Sequence, residues 1–196
     1  MDNSRLKSWE ILKQQELFAA PPWIKLSVQE IGLPDGRIID DYYRIDLQEY
    51  VAIVLQVGNG NVMMMQQYRQ GLGRVSLVLP GGGIEKGEDP LAAAQRELLE
   101  ETGYVANDWQ DLGCFAVSAN YGCGKAHVFA AKSAQQVTEP NSGDLEETEI
   151  ILMHPEEIIE AVRRGEVAAL GAVAAIALAL NPVFNPLFTT TMEMVE

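Results

Sequence analysis

Residues 82–104 read GGIEKGEDPLAAAQRELLEETGY, and within them Glu97, Glu100 and Glu101 stand at i, i+3 and i+4. On an α-helix that spacing stacks three side chains on one face, with Cβ atoms about 5–6 Å apart. Like charges held so close repel one another unless a cation neutralises them. Carboxylate oxygens are hard donors that suit Mg²⁺, Mn²⁺ or Ca²⁺. The stretch therefore reads as a metal site carried on a helix.

The helix is bounded by its own residues. Asp89 is a good N-cap, and Pro90 fits the first helical position, where a missing N–H costs nothing. Leu91, Ala94, Leu98 and Thr102 recur at helical spacing and form the stripe to be buried. At about 100° per residue the three glutamates project from roughly the opposite side. Gly103 supplies the left-handed residue that ends the helix. Ahead of it, Pro80-Gly81-Gly82-Gly83 is a loop with little side-chain bulk, whose backbone can come close to a ligand.

Gly82, Glu88, Arg96, Glu97, Leu98, Glu100, Glu101 and Gly103 together resemble the Nudix box: Gly, five residues, Glu, seven residues, then Arg-Glu-apolar-x-Glu-Glu-x-Gly-apolar. Tyr104 stands where that family usually has an aliphatic residue. The resemblance implies a metal-dependent hydrolase of a phosphoric anhydride. Glu97, Glu100 and Glu101 would be the ligands of Mg²⁺ or Mn²⁺, with the Gly81 carbonyl added from the family pattern. Arg96 is expected to orient the acidic cluster through charge-assisted hydrogen bonds. Glu88 is expected to serve as a partner of Arg96 or of the loop rather than as a ligand. Arg96 and Glu100 are thus candidates for the catalytic machinery.

Around this core the chain has 196 residues, 47% hydrophobic and 21% charged, the composition of a soluble globular domain. A formal net charge of −14 without a basic patch argues against general binding of nucleic acid or anionic membrane. Cys114 and Cys123 lack metal-ligand spacing and point to a reduced, cytoplasmic protein. The polar N-terminus MDNSRLKSWEILKQQELF is not expected to act as a signal peptide. The apolar run Val167–Leu180 is too short to span a bilayer and is expected to be a buried or dimer-packed helix.

Strands are predicted at 25–31 and 37–46, joined by the turn Leu33-Pro34-Asp35-Gly36. Two more, at 50–57 and 62–68, are joined by Gly58-Asn59-Gly60-Asn61, which reads as a hairpin connection. Residues 75–79 lead into the glycine loop, and strands near 109–117, 126–131 and 149–153 follow the acidic helix. Residues 135–144 read as a polar loop, and helices are predicted at 155–164 and 168–180. Mixed strands with helices on both faces imply an α/β fold, a Nudix-type α/β/α sandwich with a mixed sheet. Residues 1–46 form a small N-terminal β extension, and 47–196 the hydrolase domain.

Beyond the box, the Leu33–Gly36 turn, Gln67-Tyr68-Arg69, the segment 143–149 and the closing helix pair resemble one Nudix branch. That branch cleaves ADP-ribose and related nucleoside diphosphate sugars. The resemblance implies a homodimer whose N-terminal strands reach the partner's substrate site. It also implies a general base on a mobile acidic loop, where Glu146 matches best and Glu147 and Glu149 are rivals. Residues 118–122 read Ser-Ala-Asn-Tyr-Gly where the branch often carries Ser-Pro-Gly. Tyr121 there keeps open dinucleoside polyphosphates or nucleoside triphosphates as alternative substrates. A non-catalytic module that binds a nucleotide sugar is the alternative from another class.

Candidate phosphate binders are Arg69 and Arg44, through the planar guanidinium fork, and Lys125 in a Gly-rich loop. Trp23 is a candidate to stack on a nucleobase, as are Tyr42 and Tyr43, although aromatic residues in strands more often pack. His127 and His154 are isolated and read as structural, and Met63-Met64-Met65 as core filling.

Overall fold

Period-two and helical patterns meet in the computed structural model, which describes residues 7–141, 143, 147–185 and 188. The chain divides into two units: residues 1–49 with 116–125, and residues 50–115 with 126–196.

The first unit is an antiparallel sheet of β1 (Glu10–Ala20), β2 (Ile24–Gly32) and β3 (Ile38–Leu47), with β2 in the middle. In β2, Ser27, Gln29 and Ile31 alternate onto a buried face. The two polar residues are satisfied across the ladder: Gln29 Nε2 donates to Gln14 Oε1 at 2.8 Å and Gln14 Nε2 to Ser27 Oγ at 3.3 Å. The β2–β3 turn closes through Gly36 N–H to the Leu33 carbonyl at 2.9 Å, and Gly36 takes φ +87°. β1 is a strand that sequence reading does not find. EILKQQELFAA has no clean alternation, and every residue but Ala20 is exposed, so pairing with β2 rather than burial makes it a strand.

The second unit carries β4 (Tyr50–Leu55), β5 (Val62–Arg69), β6 (Arg74–Val78), α1 (Pro90–Thr102) and the two-residue β7 (Tyr104–Val105). There follow β8 (Asp108–Ala116), β9 (Lys125–Lys132), β10 (Gln135–Gln136), β11 (Thr148–Met153), α2 (Pro155–Arg163) and α3 (Leu170–Leu180). Strand order is β4-β9-β8 in one sheet and β11-β5-β6 in another, with β7 and β10 paired apart. β4 and β9 run parallel, from Tyr50↔Ala126 to Leu55↔Ala131.

The expected hairpin of β4 and β5 is therefore not formed. Residues 56–62 make a single bridge, Gln56↔Val62, and carry the chain from one sheet to the other. The reason lies in the strands themselves. Val51–Leu55 and Val62–Met65 are buried at every position, which suits strands covered on both faces. The predicted loop at 135–144 likewise contains β10, held to β7 by Gln135↔Val105 and Gln136↔Tyr104.

Those strands send alternate residues to two cores. Val51, Ile53, Leu55, Met63, Phe129 and Ala131 pack with Ala93, Ala94 and Leu98 of α1. Ala52, Val54, Met64, Val128 and Ala130 pack with Ile158 and Ala161 of α2 and Ile176 of α3. The result is the α/β/α sandwich, with α1 on one face and α2 and α3 on the other. Met63, Met64 and Met65 are core residues with 0%, 0% and 1% exposure. No helix among the described residues is long and apolar enough to cross a membrane.

Candidate active site

The site is built on α1 and the loop before it. The Asp89 carboxylate accepts from the Leu91 and Ala92 N–H groups at 3.0 and 3.2 Å, capping the helix at Pro90. Gly103, at φ +74°, ends it by donating to the Leu99 carbonyl at 2.8 Å. The glycine loop is strapped along β4: Ile53 N–H donates to the Pro80 carbonyl and Val51 N–H to the Gly82 carbonyl, both at 2.9 Å. At Gly81 a Cβ would lie 2.1 Å from the Val51 carbonyl oxygen, and φ is +147°. At Gly82 it would lie 2.4 Å from Glu97 Oε2. Only glycine lets the loop come this close to the strand at position 81.

Arg96 organises the acid face, each hydrogen bond using one of the five N–H groups of its fork. Nε and Nη2 donate to the two oxygens of Glu88 at 2.8 and 3.0 Å. Nη1 donates to Glu97 Oε1 at 2.7 Å and Glu100 Oε2 at 3.1 Å, and Nη2 also reaches the Gly83 carbonyl at 3.0 Å. Glu88 further accepts from the Glu85 N–H at 2.8 Å. Arg96, with these donors, and then the Glu85 N–H pull the Glu88 carboxyl down to about 2. The Arg96 guanidinium is in turn held charged, chiefly by Glu88. Glu101 is engaged from the loop, where its Oε2 accepts from the Gly81 N–H at 2.7 Å.

Among the described residues no three His, Cys, Asp or Glu side chains are drawn close enough together to hold an ion. The donor chemistry nevertheless fits a hard divalent cation: Glu97, Glu100 and Glu101 share a helix face beside the loop backbone, and all their donors are oxygen. Glutamate side chains reach by rotation, so turning these carboxylates onto one point asks for side-chain rotamer changes, not backbone movement.

Arg69 lies at the end of β5 and lines a cavity of 730 Å³ together with Tyr50, Gly81 and Gly171. Nothing in the sequence distinguishes Tyr50 from a core aromatic. Its hydroxyl would lie 2.6 Å from a Cβ at Gly171, and burial raises its pKa. A second cleft, of 700 Å³, is lined by Gln67, Tyr68, Glu147 and Glu149 and by no α1 glutamate. Glu147 and Glu149 are exposed. Glu146 lies outside the described residues.

The remaining candidates belong to the first unit. Arg44 pairs with Asp46 through Nε at 2.9 Å and lies against Gly122. Lys125 pairs with Glu49 at 3.1 Å. Trp23 is 71% exposed in the turn after β1, while Tyr42 packs edge-on against Trp9 and donates to the Asn120 carbonyl at 2.5 Å. The structure thus brings Glu97, Glu100, Glu101, Arg96, Gly81 and Arg69 into one unit, and Arg44, Lys125 and Trp23 into the other. His127 sits 3.7 Å from Cys114 Sγ, His154 precedes α2, and Cys114 and Cys123 are both free thiols.

Comparison with known proteins adds a second line of observation. The profile of the NUDIX domain matches residues 46–171. An ADP-ribose pyrophosphatase of Bacillus subtilis (strain 168) is 31% identical over 145 residues, 74% of this chain and 78% of that protein. A methanol dehydrogenase activator of Bacillus methanolicus is 31% identical over 140 residues, 71% of this chain and 74% of that protein. The crystal structure of an ADP compounds hydrolase superposes with a TM-score of 0.77 at 20% identity, covering 88% of this chain and 92% of that one.

Proposed function

This chain belongs to the NUDIX family of hydrolases, and we propose that it hydrolyses the diphosphate of ADP-ribose or a related nucleoside diphosphate sugar, releasing a nucleoside monophosphate and a sugar phosphate. One observation carries the reading: Arg96 ties Glu88, Glu97 and Glu100 into a single acid face beside a glycine loop, and the same loop borders a cavity lined by Arg69.

Nudix hydrolases work with a divalent metal, and Mg²⁺ or Mn²⁺ suits this all-oxygen donor set. Glu97, Glu100 and Glu101 would hold it, with the Gly81 carbonyl in support. When bound, the ion supplies charge neutralisation for the diphosphate oxygens and for the attacking water. Arg96 orients Glu97 and Glu100 through its hydrogen bonds, with Glu88 fixing Arg96 in turn. Arg69 grips a phosphate oxygen through its fork. Glu146 takes the proton of the attacking water, with Glu147 and Glu149 as rivals for that role.

Residues 1–46 serve as a dimerisation extension to the hydrolase domain of 47–196. Ile11, Leu17, Phe18 and Ile38 are large, apolar and exposed on the β1–β2–β3 sheet, and a second copy covering them makes the protein a homodimer. Arg44, Lys125 and Trp23 then serve the partner's substrate. A net charge of −14 keeps nucleic acid out of the substrate range, and the enzyme works in the cytoplasm.

The test is product identification by mass after incubation with Mg²⁺ and ADP-ribose, UDP-glucose, GDP-mannose or a diadenosine polyphosphate. AMP and ribose 5-phosphate from ADP-ribose are expected. Turnover of the polyphosphates alone would favour the Tyr121 alternative. Tight binding without any product would favour a binding module.

A further inference from the structure

Gln67 is a polar residue of β5, only 4% exposed and two positions beyond the buried run Met63-Met64-Met65. A buried primary amide costs stability unless its donors and its acceptor are paired. Gln67 pairs both ends. Its Nε2 donates to Thr148 Oγ1 at 2.7 Å, and its Oε1 accepts from Arg69 Nη1 at 3.1 Å. The amide orientation is dictated chemically, because a guanidinium has only donors and must face the oxygen. Thr148 is the first residue of β11 and lies opposite Gln67 in the antiparallel ladder. Directly before it comes Glu147, on the rim of the 700 Å³ cleft that Gln67 also lines. Arg69, at the other end of this chain of bonds, lines the 730 Å³ cavity bordered by Gly81.

We propose that Gln67 is a positioning residue, which holds the Arg69 guanidinium for substrate and ties it to Thr148 at the root of the acidic segment. An exposed arginine on a long stem loses rotamer entropy when it closes on a phosphate. A buried partner that already holds one of its N–H groups removes part of that loss and leaves the rest of the fork for the ligand. The inference rests on the reading that Arg69 binds substrate.

Steady-state kinetics with ADP-ribose and Mg²⁺ test it in Gln67→Leu, Arg69→Ala and the double variant, with Tm measured for each. Arg69→Ala is expected to raise KM about tenfold or more. Gln67→Leu is expected to raise KM about threefold to tenfold while kcat stays within about twofold. The double variant should match Arg69→Ala alone, because Gln67 acts only through Arg69. Multiplying effects in the double variant, or a fall in kcat and Tm with KM unchanged, overturns the proposal and leaves the site reading standing. An unchanged KM in Arg69→Ala overturns both. Thr148→Val, an isosteric change at the exposed start of β11, carries the same cycle against Arg69→Ala should Gln67→Leu fail to fold.

Discussion

Arg96 and Glu88 meet as two planar forks: Nε to Oε1 at 2.8 Å and Nη2 to Oε2 at 3.0 Å, across eight residues of sequence. The pair is largely withdrawn from water, with side-chain exposures of 27% and 17%. Such a contact spends one carboxylate on aiming a guanidinium, and that guanidinium then reaches Glu97 and Glu100. Four charged groups are fixed by one contact.

Arg96→Lys therefore tests orientation apart from charge. An ammonium has three donors on a flexible stem and cannot reproduce the fork to Glu88 while also reaching Glu97, Glu100 and the Gly83 carbonyl. Activity should fall about 10–100-fold, and stability by about 1–3 kcal/mol in urea unfolding. Wild-type kinetics in this variant would remove Arg96 from the machinery.

Acid should loosen the same contact over a defined window. The Glu88 carboxyl is lowered from 4.5 to about 2 in the folded protein, so below its ordinary value the unfolded chain takes up a proton that the native state refuses. Its contribution to stability is whole above about pH 4.5 and is lost as pH falls through about 2. The stability gap between wild type and Glu88→Gln should thus be widest near neutrality and close across that window, read from urea midpoints at each pH. A gap that persists unchanged at pH 2 would show that packing, not the ionised pair, sets it.

Glu97→Gln keeps size and helix propensity but removes one hard anionic donor. Turnover should be lost while circular dichroism is unchanged, and excess chelator should silence the wild type in the same way. Saturating Mg²⁺ at about 100 times its Kd should stabilise the wild type by about 2.7 kcal/mol and the variant by much less. Equal Mg²⁺ stabilisation in both would move the ion away from α1.

For the proton acceptor, Glu146→Gln should lower kcat by about 10²–10⁴-fold with KM little changed. The same loss in Glu147→Gln or Glu149→Gln, with Glu146→Gln active, would shift the role to the start of β11.

Gly82→Ala should displace the Glu97 carboxylate although φ there is unremarkable, because the new methyl would meet it at 2.4 Å. Either the carboxylate or the loop must move, so metal affinity should weaken more than Tm falls. A variant with native Mg²⁺ affinity would mean that the loop yields freely.

Much of this was legible one residue at a time. Asp89, Pro90 and Gly103 bound the helix where local rules put them, because caps act through atoms within one helical turn of each other. The partnership of Glu88 with Arg96 was also readable, since a loop acid ahead of a helix arginine has a short list of partners. The pairing of β4 was not. A turn-rich tetrapeptide between two apolar runs looks like a hairpin, whereas the ladder partner of Tyr50–Leu55 is β9, far along the chain. Strand β1 escaped for the opposite reason, having no buried face to leave a period-two trace.

By itself, then, the order of residues determined the acid-bearing helix, its ends, the glycine loop and the chemistry of the donors, all of which depend on neighbours in sequence. Only the tertiary structure decided that Gln67 would lie buried between Thr148 and Arg69, and that Tyr50, Arg69 and Gly81 would share one cavity. Those relationships join strands through sheet register and core packing, long-range terms with no local signature.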